Sequence, residues 1–227
     1  MSDRNGKIFC TSIASLSHIS KELRLAAHPN LFVFTLLGVL VIVPAYPYGM
    51  VFLFGCLGPF ITFMYGRETN DIYYTALLPV KKRAIVKSKV ALVVLSQLVQ
   101  LSVSLPFAVL RLGLIPDGNP AGIEANVAYY GFGLMIYTVF NVIFLTHFFK
   151  SGYNVGWSFL YAIIPATLGV LIMEIVVHFP QFAWLDSVEN AMLLRQLPIL
   201  LTGLIVYILG IIATYRISAK RFDQVDL

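Results

Sequence analysis

Glu174 and His178 stand four residues apart in an otherwise apolar run, a spacing that puts a carboxylate and an imidazole on one face of a helix. Inside a membrane, groups of this kind relay protons or hold cations. Their place near the end of the run favours a wet pair at the membrane surface over a transport site, and no paired carboxylates in mid-run extend a relay. No G-x-x-x-x-G-K-[ST] phosphate loop, G-x-S-x-G nucleophile elbow or H-E-x-x-H zinc helix occurs in the chain. ATP hydrolysis by a phosphate loop is therefore excluded from this chain, and no catalytic residue is assigned. His18, His28, His147 and His178 lack partners at ligand spacing, so no metal site is expected. Cys10 and Cys56 fall in different surroundings, so no disulfide is expected either.

Two further groups of polar residues stand out. Gln97 and Gln100 lie in one apolar run and Asn141 in another, where side-chain amides either bond to neighbouring helices or line a path for a solute. The second group is the stretch 68–89, ETNDIYYTALLPVKKRAIVKSK, a polar and basic insert between two apolar runs. Ile72, Tyr73, Ala76 and Leu77 recur at helical spacing, and Glu68 and Asp71 in the first turn suit a helix N-terminus. Leu78 and Pro79 end the predicted helix, because proline cannot continue it without losing a hydrogen bond. Lys81, Lys82, Arg83, Lys87 and Lys89 then lead into the next apolar run. Two readings fit: a short helix that inserts into a groove of a cytosolic partner, or a basic loop held on anionic lipid.

The elements that position these residues follow from composition. Hydrophobic residues make up 59% of the chain, charged residues only 12%, and mean hydropathy is +0.83. Soluble domains carry about a quarter charged residues, so the chain is an all-α integral membrane protein. A span needs roughly 20 apolar residues, which leaves 227 residues with room for six spans in one transmembrane domain, 1–227. They are predicted at about 31–48, 50–65, 90–112, 127–149, 155–178 and 198–215. Each is helical because backbone groups in lipid must pair within the segment. The small-residue pairs Gly152/Gly156 and Gly203/Gly210 predict close helix contacts. Apolar residues from Ile8 to Leu23 at helical spacing, with Lys7, Lys21 and Arg24 between them, predict an amphipathic interfacial helix over 1–30. Phe182, Trp184, Leu185 and Val188 suggest a short interfacial helix within 180–196.

Basic residues in short loops remain on the cytoplasmic side. With six spans and both termini inside, only Arg111 and Arg195 are left outside, among Asp117, Glu124, Glu174, Asp186 and Glu189. The net charge of +5 belongs to the inner membrane surface and its lipid, and does not point to nucleic acid.

The run from Glu68 through Leu78-Pro79-Val80-Lys81-Lys82-Arg83 to Val86-Lys87-Ser88-Lys89 resembles the E…LPVSR…IV-x-x-K signature between the second and third spans of type-2 ABC exporter permeases. The amphipathic start and the six spans extend the resemblance over most of the chain, although only the short stretch around 45–48 is available outside between the first two spans, as in the compact bacterial branch. The resemblance implies a bacterial inner-membrane protein that pairs with a second permease subunit, identical or related. It also implies a coupling helix seated on a separate cytosolic ATPase, where ATP and magnesium bind; no cofactor is expected in this chain. Glu68 and Asp71 would be the polar anchors, Tyr73, Tyr74 and Leu77 the packing contacts, and Leu78 and Pro79 the stop. An aromatic content of 14% suits an amphipathic or hydrophobic cargo, and the resemblance points to peptide, toxin or drug export. A stand-alone secondary carrier and a lipid-modifying membrane enzyme are the alternatives. The first lacks visible internal repeats and a mid-membrane ion site, and the second lacks a nucleophile or metal constellation.

Overall fold

The computed structural model describes residues 29–77, 81–114 and 119–225, and these form helices and turns with no strand among them. The chain begins with α1 (Pro29–Leu36), which tightens into a 3-10 turn over Leu37–Ile42. It continues through α2 (Gly49–Glu68), α3 (Asp71–Leu77), α4 (Lys82–Leu114), α5 (Val127–Ser151) and α6 (Val155–Val176), then a 3-10 turn at Pro180–Leu185, and ends in α7 (Asn190–Asp223). Helices α2, α4, α5, α6 and α7 are long and apolar enough to cross a membrane.

The first predicted span is shorter than its apolar run. Pro44 forces the preceding Val43 out of the helical region, to φ −75 and ψ 123, and Ala45 follows at φ 53. Helical structure therefore stops at Ile42, leaving about 24 Å of α and 3-10 helix among the described residues against a hydrocarbon core of about 30 Å. Two other elements outrun their predicted bounds. Helix α4 has 33 residues and takes in Lys82 to Lys89 as its first turns, and α7 has 34 with Pro198 inside it. Apart from its last two residues, the amphipathic segment expected over 1–30 lies outside the described residues.

Helix α5 is the hub and the most buried of the long helices. Asn126 caps its start, its side-chain oxygen accepting the Tyr129 N–H at 3.1 Å. Gly152 ends it at φ 79, a conformation that disfavours any side chain. Against α7 the two backbones touch: a Cβ on Gly203 would lie 2.3 Å from the Gly131 carbonyl oxygen. Gly210 similarly meets Thr138, so the predicted Gly203/Gly210 contact is present. Gly156 meets nothing within 4 Å; the Gly152/Gly156 pair makes no helix contact, because Gly152 is needed for the cap. A phenylalanine ladder ties α2 to α5, with Phe63 4.7 Å from Phe148 and 5.2 Å from Phe144 between ring centres.

Two ends result. The basic end gathers the α2–α3 turn, α3, the start of α4, the α5–α6 loop and the close of α7. The opposite end gathers the 43–48 turn, the α4–α5 loop and the stretch before α7.

Candidate functional site

At the basic end, α2 runs through Glu68 and the chain reverses at Thr69 and Asn70. Asn70 takes φ 53, a left-handed conformation that asparagine tolerates, and Thr69 donates its hydroxyl back to the Tyr65 carbonyl at 3.0 Å. Helix α3 follows, with Asp71 at its N-terminus. Glu68 thus closes α2 and does not open the short helix, a correction that follows from the two-residue reversal at Thr69-Asn70. Ile72 and Thr75 face inward, while Tyr73 and Tyr74 are 50% and 63% exposed and meet edge to face at 5.9 Å. Leu78, Pro79 and the side chain of Leu77 lie outside the described residues.

Lys89 is not on the membrane surface, as the sequence suggested. Only 4% of its side chain is exposed, and Nζ lies 2.6 Å from Asp71 Oδ2. Its ammonium also sits 5.8 Å over the Phe63 ring, a favourable cation–π placement. Because the basic stretch is helical, Lys89 comes two turns into α4 and rotates inward beneath α3, where Asp71 and a ring face offset its desolvation. Asp71, expected as an anchor for a partner, is 18% exposed and fastens α3 to α4.

Lys82 and Arg83 are engaged as well. Lys82 donates to the Val225 carbonyl at 2.6 Å, and Arg83 pairs with Asp223 at 3.0 Å. Phe222 is buried against Phe149, and Arg221 donates to the Thr146 carbonyl at 2.8 Å. The close of α7 therefore straps α4 to α5. Lys81 and Lys87 are exposed.

In the middle of the bundle, Gln97 and Asn141 exchange two amide hydrogen bonds, 2.9 and 2.8 Å. The Tyr207 hydroxyl donates to the Gln97 oxygen at 3.0 Å, joining α4, α5 and α7. One turn on, Gln100 donates to the carbonyls of Phe34 and Val51 and accepts the Tyr137 hydroxyl at 2.5 Å. Both glutamines are fully buried. Of the two uses open to these amides, the geometry is that of helix packing.

The opposite end holds what the sequence reading missed. Arg111 and Glu124 form a buried ion pair, and the Arg111 guanidinium lies 5.2 Å over the Tyr48 ring. Burial pushes the Tyr48 hydroxyl up to about 12, with Arg111 partly offsetting it. Glu174 is buried rather than wet, since its two oxygens accept the backbone N–H groups of Gly49 and Ile123 at 2.5 and 3.0 Å. His178 meets the Glu174 backbone carbonyl, not its carboxylate, at 3.0 Å. Asp186 accepts the Glu124 N–H at 2.6 Å, and burial raises its carboxyl above the usual range despite that bond and the nearby His178 and Arg111. Gln196 donates to the carbonyls of Trp184 and Ser187, each at 2.9 Å. These groups pin every described connection at this end to the bundle, the stretch 180–187 included. The excess of acids over Arg111 and Arg195 on this side was visible in the sequence; the Arg111–Glu124 pairing needed the fold.

An apolar groove of about 480 Å³ opens between α4, α5 and α7 near this end, lined by Leu105, Val109, Tyr130, Leu134, Leu200 and Leu204 among others. No group of three metal-ligating side chains occurs among the described residues.

Comparison with known families completes the picture. The model of the ABC-2 family transporter protein matches residues 19–223, which takes in every helix from α1 to α7. The chain belongs to the ABC-2 transporter family. No curated protein and no solved structure matches the chain. The ABC-2 permease is a multi-pass membrane component of a transporter, a family that works with an ABC ATPase and is not itself catalytic. In this permease, α3 lies between two spans at the basic end, and Gln97 and Gln100 bond to Asn141, Tyr207 and Tyr137 in the bundle interior.

Proposed function

We propose that this permease is the transmembrane subunit of an ATP-driven exporter that moves an amphipathic or hydrophobic cargo, peptide being the leading class, across a bacterial inner membrane. The basic end faces the cytoplasm, and α1 with its 3-10 extension completes a six-span subunit with both termini inside. Two permease subunits pair, and each seats α3 and the following Leu78-Pro79 on a cytosolic ATPase that holds ATP and magnesium. The observation that carries this reading is α3 itself, in a chain of the ABC-2 family. It turns Tyr73 and Tyr74 outward while Asp71–Lys89 and the Thr69-Asn70 turn fix it to two spans.

Motion of the ATPase against the tyrosines would pass through Lys89 into α4, a rod of about 50 Å. Gln97 and Gln100 along that rod grip α5, α7, α1 and α2. Transmission requires that the two states of the ATPase bind α3 differently, since a ligand shifts an equilibrium only by its differential affinity. The apolar groove falls in the volume range of small-molecule sites and supports a greasy cargo over an ion.

Capture of the subunit from its native membrane in mild detergent tests the reading. Wild type should bring down an ATPase, and Tyr73→Ala/Tyr74→Ala should not. A wild-type subunit that comes down without any ATPase, or equal capture by both, overturns the docking assignment; transport driven by an ion gradient without ATP overturns the exporter.

A further inference from the structure

A small cleft at the basic end opens beside the Asp71–Lys89 pair and the Phe63–Phe148 contact. It lies between the α2–α3 turn and the α5–α6 loop, holds about 110 Å³, and is lined by Arg67, Asn70, Asp71, Tyr73, Lys89 and Tyr153, with Phe63 and Phe148 as its apolar side. From these features we infer that the cleft binds a phosphate group, carried by an anionic phospholipid of the adjoining leaflet or present as the free ion.

The charge balance selects an anion. Asp71 and Lys89 neutralise each other at 2.6 Å, so the lining retains the charge of Arg67, which is exposed and has no ion pair among the described residues. A guanidinium presents parallel N–H donors that match two phosphate oxygens. Asn70, Tyr73 and Tyr153 add amide and hydroxyl donors to the same wall. Size selects a compact group. At about 30 Å³ of liquid volume per water, the 110 Å³ of the cleft has room for about four waters, enough for a tetrahedral anion. Gly66 and Gly152 complete the lining.

A stripe leads away from the cleft along α6. Tyr153, Trp157 and Tyr161, spaced four apart, are 67%, 59% and 52% exposed, and Ile164 and Leu168 continue the same exposed face. Tyrosine and tryptophan favour the headgroup level of a bilayer. A phospholipid whose phosphate occupies the cleft can lay an acyl chain along this stripe, whereas a free phosphate uses the cleft alone. Tyr73 lines the cleft and is also a proposed ATPase contact, so the two readings are tested at different residues, Arg67 here and the tyrosines there.

The test is native mass spectrometry of the full-length, delipidated permease in mild detergent, titrated with dioleoylphosphatidylglycerol, with dioleoylglycerol, which has the same chains and no phosphate, and with inorganic phosphate. Wild type should retain phosphatidylglycerol over dioleoylglycerol. Arg67→Gln should weaken that retention by about tenfold or more, as for loss of a charge-assisted bidentate contact, Arg67→Lys should restore part of it, and Lys150→Gln, an exposed base outside the lining, should leave it unchanged. Displacement of the lipid by millimolar phosphate assigns the soluble ion as the source; retention of the lipid assigns the headgroup. Because Arg67 is exposed, an unchanged thermal midpoint is expected for both variants. Equal weakening by Arg67→Gln and Lys150→Gln overturns the site in favour of diffuse surface charge. Equal retention of the phosphate-free lipid overturns it in favour of acyl packing. Unchanged lipid and phosphate binding in Arg67→Gln together with lost capture of a partner protein reassigns the cleft to that partner.

Discussion

Replacing Asp71 by asparagine should loosen α3 without unfolding the spans. Helix α3 has seven residues, too few to hold helical structure unaided, so its order depends on what anchors it. The Asp71→Asn change keeps the side-chain shape and removes the negative charge 2.6 Å from a Lys89 ammonium that is 4% exposed. Stranding one member of a buried ion pair costs about 3–5 kcal/mol; the 18% exposure of Asp71 and the Phe63 face at 5.8 Å place this case near the lower figure. At about 1.4 kcal/mol per tenfold, about 3 kcal/mol raises the open population of α3 roughly a hundredfold. Hydrogen exchange read by mass spectrometry on peptides covering 69–77 measures that population directly, with peptides from α5 as the internal control. Lys89→Met should do less, because the stranded carboxylate is the more exposed partner and can recruit water. The double variant Asp71→Asn/Lys89→Met should recover much of the protection lost by Asp71→Asn, since no buried charge then lacks a counter-charge. The reasoning fails if exchange over 69–77 in Asp71→Asn stays within about threefold of wild type, or if the double variant is as open as the sum of the singles.

Three further changes probe the bundle. Gly203→Val should lower the thermal midpoint in detergent, by an amount corresponding to about 1–3 kcal/mol of overpacking, because its Cβ would meet the Gly131 carbonyl oxygen at 2.3 Å. Gly156→Val, with nothing within 4 Å, serves as the silent control. Gln97→Leu should cost about 1 kcal/mol in a detergent unfolding titration by stranding the Asn141 amide and the Tyr207 hydroxyl, and Gln97→Leu/Asn141→Leu should cost less than the sum of the two singles. For Asp186, burial raises the folded-state carboxyl above its usual range. Its stabilising share is therefore complete below the unfolded pKa and is lost as pH rises through the folded one. Asp186→Asn keeps an acceptor for the Glu124 N–H, so it should be more stable than wild type at neutral pH, and the difference in thermal midpoint should vanish in acid.

Membrane class and helical content could be read from composition, because a chain with so few charges can satisfy its backbone in lipid only by helices. Boundaries were less legible, since lipid and helix reward different things. The apolar run at 31–48 extends past Ile42, but Pro44 ends the helix there. The charged stretch 82–89 interrupts apolarity, yet it has no helix breaker and simply continues α4. The same periodicity explains Lys89. As one of a run of bases it looked solvated, and only the helical phase of α4, together with the return of α3 over it, turns it inward. Gln97 and Asn141 were visible as amides in lipid, but which of packing or passage they serve depends on which helices face each other. The opposite end was the least legible. Arg111, Glu124, Glu174 and Asp186 come from four different segments, and no spacing in the chain relates them.

The two ends treat charge in opposite ways. At the opposite end Arg111 is 1% exposed and paired with Glu124, so the pair adds no net charge to that surface, and Arg195 is left as its only exposed lysine or arginine among the described residues. At the basic end Arg67, Lys81, Arg83, Lys87 and Lys150 are exposed. A count of lysine and arginine in loops treats Arg111 as evidence against the proposed orientation, whereas its burial removes that weight and makes the asymmetry sharper than the sequence suggests. Burial has a mechanical consequence too. The buried polar groups at the opposite end reach across to the 43–48 turn, the α4–α5 loop and the stretch before α7, so a displacement entering through α3 meets a clamped far end. Under the proposed coupling, relative movement of the helices would be taken up along the spans themselves, where the bonds of Gln97 and Gln100 and the Ser104–Tyr130 contact are polar contacts that would slide or break.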